Sequence, residues 1–185
     1  MNIPEDALKD TVAIVTGASQ GIGREIAMTF ARVGASVALA ARSDGIEETA
    51  TRIGEPDRTL PVRTDVTDEA SVRETVADVV AQFGGIDCVV NNAGIAGPTA
   101  PIEEVSSADW ERTMDVNVRG PFLMLKHSAE HLRDSDRGSV INLSSISGKR
   151  PLEQRTPYTS SKMAILGLTR TAAAELADDD VTVNA

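Results

Sequence analysis

Residues 11–23 read TVAIVTGASQGIG. The first five, Thr11 to Val15, are β-branched or apolar and predict a strand. Beyond the glycines, apolar residues recur every three or four positions as far as Gly34, which predicts an amphipathic helix. The glycines have the spacing G-x-x-x-G-x-G, which lets the backbone turn sharply and approach a pyrophosphate at the helix N-terminus. A turn that serves packing alone is the alternative at this point.

Short apolar runs and longer helical segments alternate through the rest of the chain. Further strands are predicted at Ser36–Ala41, Thr59–Thr64, Asp87–Asn91, Ser139–Ser144 and Val181–Val183. Helices are predicted after Ser71-x-x-Glu74, which resembles a capping box, and over about Ala108–Leu132 and Tyr158–Ala177. This alternation predicts an α/β fold with a doubly wound parallel sheet of about six strands, as a single domain over residues 1–185. Ligands of such sheets bind at the carboxyl ends of the strands.

The chain is acidic, with 18 Lys and Arg against 28 Asp and Glu and a formal net charge of −10 at pH 7. This balance argues against a nucleic-acid partner, because binding a phosphate backbone needs a basic face. No apolar run reaches the ~18–20 residues of a membrane-spanning helix, and the polar segment Met1–Asp10 is unlike a secretory signal. A single cysteine, Cys88, can form neither an internal disulfide nor a thiolate zinc cluster, so we expect a cytoplasmic protein.

The acidic surface has two explanations that the sequence leaves open. Arginine outnumbers lysine 14 to 4, as codon bias in a high-GC genome would produce. An excess of carboxylates also keeps a protein soluble in strong brine. Stability measured from low salt to molar KCl separates the two explanations.

A tyrosine and a lysine stand four residues apart in Tyr158-Thr-Ser-Ser-Lys162. On a helix, residues i and i+4 lie on the same face about one turn apart. A phenol is a weak acid with a reference pKa of ~10, and a neighbouring ammonium favours its phenolate form. The pair is therefore a candidate for acid–base chemistry. For this pair taken alone, a surface tyrosine beside an unrelated lysine is the alternative.

Taken together, these motifs resemble the short-chain dehydrogenase/reductase family, in particular its 3-oxoacyl-carrier-protein reductase-like members, over nearly the whole chain. The residues that carry the resemblance are Gly17, Gly21 and Gly23, Asp65-Val66, Asn91-Asn92-Ala93-Gly94, Asn117, Ser144-Ser145, Tyr158 and Lys162. The resemblance implies a Rossmann-type sheet and an NAD(P)-dependent oxidoreductase that transfers hydride between a nicotinamide cofactor and a carbonyl or alcohol. It does not select a substrate: a 3-oxoacyl-carrier-protein reductase and a sugar or polyol dehydrogenase both stay open.

The resemblance also implies four catalytic residues. Tyr158 would exchange a proton with the substrate oxygen as general acid or base. Ser145, rather than Ser144, would hydrogen-bond the same oxygen, because it stands the family's usual thirteen residues before Tyr158. Lys162 would favour the phenolate and bind the nicotinamide ribose, and Asn117 would hold a water that connects Lys162 to solvent.

The cofactor-binding residues follow from the same resemblance. They are Gly17, Ser19, Gln20, Gly21, Ile22, Gly23, Arg42, Asp65, Val66, Asn92, Ala93, Gly94, Tyr158 and Lys162. Enzymes that prefer NAD place an acid about 20 residues past the glycines, where this chain has Ala41 followed by Arg42. A guanidinium can pair with a 2′-phosphate, so we expect NADP as the preferred cofactor, with NAD possible as well. Asp44 is the residue that argues for NAD, and Asn91 is expected to connect two strands.

The family resemblance carries two further expectations. Family members commonly pair through their long helices, so the chain is expected to form a homodimer or homotetramer. They also continue past the sixth strand into a substrate lid and a seventh strand, so the chain is expected to be C-terminally truncated relative to the family. A catalytically silent nucleotide-binding or dimerisation module is therefore the alternative to an active enzyme.

One pattern suggests a metal site. His127-Ser-Ala-Glu130-His131 matches H-x-x-E-H, in which two histidines can share a zinc ion. The pattern lies late in the predicted long helix, away from the strand ends that carry the other motifs. We therefore expect no metal and interpret both histidines as helix-surface or subunit-contact residues.

Overall fold

The computed structural model describes residues 3–185 and contains a six-stranded parallel sheet. The strands are β1 (Val12–Thr16), β2 (Ser36–Ala41), β3 (Thr59–Arg63), β4 (Cys88–Asn91), β5 (Ser139–Asn142) and β6 (Thr182–Asn184). Their order across the sheet is β3-β2-β1-β4-β5-β6. The chain reverses its direction of winding between β1 and β4, which opens a crevice at the carboxyl ends of these strands. The predicted doubly wound sheet is confirmed.

Within residues 3–185, six α-helices connect the strands. They are α1 (Gly21–Arg32), α2 (Gly45–Ile53), α3 (Glu69–Phe83), α4 (Ser107–Met114), α5 (Gly120–Asp134) and α6 (Thr156–Glu175). Neighbouring residues of the central strand face opposite layers. Ile14 packs with residues of α3, α5 and α6, whereas Ala13 and Val15 pack with residues of α1 and α2. Among residues 3–185, none of the helices combines the length and the apolar character that crossing a bilayer requires.

The prediction of one long helix over Ala108–Leu132 is wrong in one respect. A π-helical segment, Asp115–Arg119, separates α4 from α5, and the Gly120 N–H bonds the Asp115 carbonyl five residues earlier. Pro121 explains this local widening, because it has no N–H to give to the carbonyl of Asn117, four residues before it. The irregular segment therefore falls at a predicted catalytic residue.

The predicted capping box is also wrong. Helix α3 begins at Glu69, and its N-cap is Asp68, whose carboxylate accepts the Ala70 N–H at 3.0 Å. Ser71 lies inside the first turn, and its hydroxyl accepts the backbone N–H of Asp65 at 3.0 Å. An earlier aspartate thus takes the capping position, which leaves Ser71 to fix the loop that follows β3.

Three other side chains lie where the sequence places them. Cys88 is buried in β4, and burial, followed by the charge of Asp87, raises the pKa of its thiol to about 12. The amide of Asn91 donates to the side-chain oxygen of Asn142 at 2.8 Å, so it does connect β4 with β5. His127 lies 3.0 Å from the carboxylate of Glu69 and thereby faces α3.

Candidate active site

A crevice of about 490 Å³ lies at the carboxyl ends of β1 to β4. Twelve predicted cofactor-binding residues line it: Gly17, Ser19, Gln20, Gly21, Ile22, Gly23, Arg42, Asp65, Val66, Asn92, Ala93 and Gly94. Six residues that the sequence did not single out as cofactor-binding complete the lining: Ala40, Ala41, Ser43, Thr64, Ile95 and Val116. All six are close neighbours of motif residues in the sequence, which is the signal that could have found them: five follow or end a strand, and Val116 precedes Asn117 in the π-helical segment. The remaining two predicted contacts, Tyr158 and Lys162, lie on α6.

The glycine loop leaves the start of α1 open to an anion. Gly17 has a φ of +69°, which favours glycine, and its N–H bonds the carbonyl of Ala40 at 2.7 Å. Within residues 3–185, the N-cap residue Gln20 makes no side-chain capping bond, and the first turn of α1 carries no acidic residue. The free N–H groups and the positive end of the helix dipole therefore suit the pyrophosphate of a dinucleotide.

Two side chains that sequence reasoning missed support this loop from behind. Arg24 donates to the Ser19 carbonyl at 2.5 Å and to the hydroxyl of Thr49 at 3.0 Å. The buried Thr49 hydroxyl in turn lies 2.9 Å from the Ala18 carbonyl. Glu48 pairs with the Arg24 guanidinium at 2.9 Å. Side chains of α1 and α2 thus bind the carbonyls of Ser19 and Ala18, and the N–H groups that can meet a ligand are those at the start of α1.

Four charged residues at the carboxyl ends of β2 and β3 form two ion pairs, one between Arg42 and Asp65 and one between Asp44 and Arg63. Arg42 lies 3.9 Å from the Asp65 carboxylate, and both side chains are more than a third exposed. Burial acts to raise the pKa of Asp65, but hydrogen bonds from the N–H and hydroxyl of Thr67 and the charge of Arg42 outweigh it, so the pKa lies below its usual 3.8. Asp44 forms an ion pair with Arg63 at the edge of the sheet. The acid that argued for NAD is thus already paired with a cation.

The predicted acid–base pair lies on one face of α6. The Lys162 ammonium is 5.7 Å from the centre of the Tyr158 ring and donates to the Leu143 carbonyl at 2.5 Å. Burial lowers the pKa of Lys162 from its usual 10.5. A Cβ placed on Gly94 would lie 3.8 Å from the Lys162 ammonium nitrogen, so α6 meets the crevice at this glycine.

Asn117 joins the crevice to α6. Its side-chain oxygen accepts the Ile95 N–H at 2.8 Å, and its amide donates to the Ile95 carbonyl at 2.9 Å and to the Ser161 hydroxyl at 3.0 Å. The structure therefore brings Asn117, Tyr158 and Lys162 together beside Gly94. Ser145 follows β5, and the neighbouring Ser144 hydroxyl donates to the Lys162 carbonyl at 3.0 Å.

Arg155 is another residue that sequence reasoning missed. Its guanidinium carbon lies 5.5 Å from the centre of the Tyr158 ring, and one of its nitrogens donates to the Ala96 carbonyl at 2.7 Å. It thereby fastens the loop after β4 to the start of α6. The signal available in the sequence was an arginine three positions before the tyrosine.

Comparisons with known proteins agree with this geometry. A model of the short chain dehydrogenase family matches residues 11–185. A cis-4-hydroxycyclohexanecarboxylate dehydrogenase of Sinomonas cyclohexanicum is 38% identical over 181 residues, which cover 97% of this chain and 73% of that protein. A D-threitol dehydrogenase of Mycolicibacterium smegmatis is 37% identical over 180 residues, or 96% of this chain and 68% of that protein. The solved structure of a levodione reductase superimposes with a TM-score of 0.92 at 34% identity, covering 96% of this chain and 70% of that one.

The chain therefore belongs to the short-chain dehydrogenase/reductase family. It is an oxidoreductase of the dehydrogenase/reductase type, and the cofactor of its family is a nicotinamide dinucleotide, NAD or NADP. It spans about seven tenths of the length of the relatives named here.

Proposed function

We propose that the protein interconverts a ketone or aldehyde with an alcohol, with NADP as its preferred cofactor and Tyr158 as general acid and base. The observation that carries the proposal is the grouping of Tyr158, Lys162 and Asn117 beside Gly94, where α6 meets the crevice. NADP, when bound, supplies or accepts the hydride. The protein supplies the proton and the orientation of the substrate oxygen.

In this proposal each side chain has a separate role. Tyr158 holds the transferable proton on its phenol oxygen and gives it to the substrate oxygen during reduction. The Lys162 ammonium, 5.7 Å from the ring, stabilises the negative charge that Tyr158 then carries. Ser145 donates a hydrogen bond to the same substrate oxygen and holds it near the phenol.

Asn117 contributes to proton return through its main chain. Its side-chain amide is engaged by Ile95 and Ser161. Its carbonyl, in contrast, receives no helical hydrogen bond from Pro121, which has no N–H. We therefore assign the relay water to the carbonyl of Asn117, from which a proton can reach Lys162.

A panel of alcohols and carbonyl compounds tests this activity. It includes cis-4-hydroxycyclohexanecarboxylate, D-threitol and levodione, after the names of the relatives, together with 3-oxoacyl thioesters. We expect turnover of at least one compound, and Tyr158→Phe should lower kcat at least ~10²-fold while NADPH still binds. Retained activity in the variant would refute the assigned role of Tyr158. A wild-type protein that binds NADPH and turns over nothing is instead a catalytically silent nucleotide-binding module.

The cofactor preference rests on Arg42. Arg42 lines the crevice at the end of β2, and Ala41 presents no carboxylate there. We expect NADPH to bind more tightly than NADH in a fluorescence titration. Arg42→Ala should weaken NADPH binding about tenfold, equivalent to ~1.4 kcal/mol, because the pairing with the 2′-phosphate is lost. NADH affinity should stay unchanged, and an equal effect on both cofactors would overturn the assignment.

We further propose that the long helices pair copies of this chain as a homodimer or homotetramer. Trp110, Phe122 and Met163 lie on α4, α5 and α6 with 38%, 47% and 54% of their surfaces exposed. Exposed large apolar side chains mark a contact surface where they form a contiguous patch, and the proposal is that these three do so across the helices. Phe122→Glu should lower the sedimentation coefficient, and a wild-type monomer at micromolar concentration would contradict the proposal.

We also propose that residues 1–185 form one domain and act in the cytoplasm, where the lone buried thiol stays reduced.

A further inference from the structure

The turn that follows β5 surrounds the hydroxyl of Ser145. Ser145 directly precedes a short 3₁₀ turn, Ile146–Gly148, and its side chain caps the start of that turn. Its side-chain oxygen lies 3.2 Å from the backbone N–H nitrogen of Ser147 and 2.9 Å from the Ser147 hydroxyl oxygen. Ser147 is 5% exposed, whereas Ser145 is partly open to solvent. The two hydroxyls therefore differ in environment although they are neighbours.

The position of this turn is fixed by its contact with α6. A Cβ on Gly148 would lie 2.8 Å from the Lys162 carbonyl oxygen, which leaves no space for a side chain there. The Ser144 hydroxyl donates to the same carbonyl at 3.0 Å. Ser147 is thus held between the end of β5 and the helix that carries Tyr158, so its hydroxyl has little freedom to move away from Ser145.

A serine hydroxyl carries one proton and two acceptor positions. At Ser145 both acceptor positions are occupied, one by the Ser147 N–H and one by the Ser147 O–H. We propose that Ser147 is a positioning residue that directs the Ser145 proton outward, to the side on which a substrate oxygen can accept it. The proposal rests on the function proposed above, in which Ser145 is a donor to that oxygen.

This arrangement prepares Ser145 for its role before a substrate arrives. A hydroxyl with a free acceptor position can rotate, and it can then point its proton at a neighbouring acceptor instead of at the substrate. With Ser147 donating to it, Ser145 has no such choice. Donors fixed in this way need no reorganisation as negative charge develops on the substrate oxygen. Ser145 keeps its own proton throughout, because Tyr158 transfers the proton of the reaction.

A double-mutant cycle separates positioning from a structural role. Ser147→Ala removes the hydroxyl but keeps the backbone N–H, so the cap of the turn survives. We expect kcat to fall about threefold to tenfold, the effect of one lost neutral hydrogen bond, with the NADPH dissociation constant unchanged. In the Ser145→Ala background the same change should have no further effect on kcat. An unchanged kcat, or an equal loss in both backgrounds, overturns the proposal.

Neutron diffraction of the deuterated wild-type protein tests the same point without activity. The deuteron of the Ser147 hydroxyl should point at the Ser145 oxygen, and the deuteron of Ser145 should point away from Ser147. The reverse direction, with Ser145 donating to Ser147, overturns the proposal. If the wild type turns over no substrate, the proposed function fails, and the deuteron positions alone then decide the role of Ser147.

Discussion

Gly23 shows how closely single residues are constrained in the glycine loop. A Cβ on this residue would collide with the Gly17 carbonyl and with the side-chain amide of Asn92. Gly23→Ala should therefore displace the loop, destabilise the protein by about 1–3 kcal/mol and abolish NADPH binding. Urea unfolding and a fluorescence titration measure the two effects.

Gly167 is the matched control for this substitution. It is exposed in the middle of α6, and no atom of residues 3–185 outside its local helix lies within 4 Å of a Cβ placed there. Gly167→Ala should stabilise the protein by about 0.4–1 kcal/mol, because alanine restricts the unfolded chain and favours the helix. Normal cofactor binding by Gly23→Ala would show that the loop relieves the collision at little cost.

Lys162 should make stability depend on pH. Burial lowers its pKa in the folded protein below 10.5, so the folded chain binds this proton less tightly than the unfolded chain does. Between the lowered pKa and 10.5 the unfolded state binds more of this proton, so the contribution of Lys162 to the free energy of unfolding rises with pH across that window. Below this window Lys162 is charged in the folded and the unfolded state, and the burial of its charge lowers the free energy of unfolding by its full amount.

Lys162→Met should remove this rise. Urea unfolding of the variant and the wild type, between about pH 7 and 10.5, measures the difference in slope. Lys9→Met, which alters an exposed lysine, is the control and should keep the wild-type slope. Equal slopes in all three proteins would contradict the effect of burial on the charge of Lys162.

At the scale of elements, α1 and α2 hold the glycine loop through polar contacts. Thr49 is fully buried, receives a hydrogen bond from Arg24 and lies 2.9 Å from the Ala18 carbonyl. Thr49→Val keeps the shape but leaves both partners without the hydroxyl. We expect a loss of about 1–3 kcal/mol in the free energy of unfolding and weaker NADPH binding.

The control lies on the same helix. Thr51 is exposed, and its hydroxyl donates to the Glu47 carbonyl of its own helix at 2.8 Å. Thr51→Val makes the same chemical change and should alter stability by no more than about 0.5 kcal/mol. A Thr49→Val variant that behaves like Thr51→Val would show that the loop does not depend on α2.

The strands could be predicted because buried parallel strands are short continuous apolar runs, as at Val12–Thr16. Helix α2 was not predicted, because Ile46 and Ile53 are its two large apolar residues, and two residues are too few to show a helical period. The start of α3 was misplaced because Asp68 and Ser71 are both plausible caps, and only the three-dimensional position of Asp65 decides between them. Pro121, in contrast, was visible in the sequence and marks the π-helical segment.

At the scale of the whole molecule, the strand order brings the sequence motifs together. Any parallel sheet places residues that follow its strands along one edge, so twelve residues of the crevice lining could be predicted from the sequence. The contacts of Arg24, Ser147 and Arg155 could not, because each bonds a group whose position depends on the packing of other elements. The spacing of polar residues in a sequence does not indicate which groups they will bond in the folded protein.

The net charge of −10 leads to a prediction for the molecule in salt. Like charges spread over a surface repel one another and destabilise the folded state, and salt screens this repulsion. The Debye length falls from ~30 Å at about 0.01 M to ~8 Å at about 0.15 M ionic strength. Urea unfolding should therefore show a free energy of unfolding that rises with KCl over this range. A fall would mean that attraction within ion pairs outweighs the repulsion.

Two sets of variants with matched chemistry separate repulsion from pairing. Glu103 and Glu104 are neighbouring exposed carboxylates, so replacing both with glutamine should raise stability at low salt and reduce the response to KCl. Glu48→Gln also removes a carboxylate, but this one pairs with Arg24 and Arg52, so the change should destabilise the protein. A protein that folds fully only in molar KCl would favour salt adaptation, and full stability at low salt would favour codon bias as the source of the arginines. The response of the Glu103/Glu104 variant then decides whether repulsion spread over the surface, rather than one local pair, governs how this molecule responds to salt.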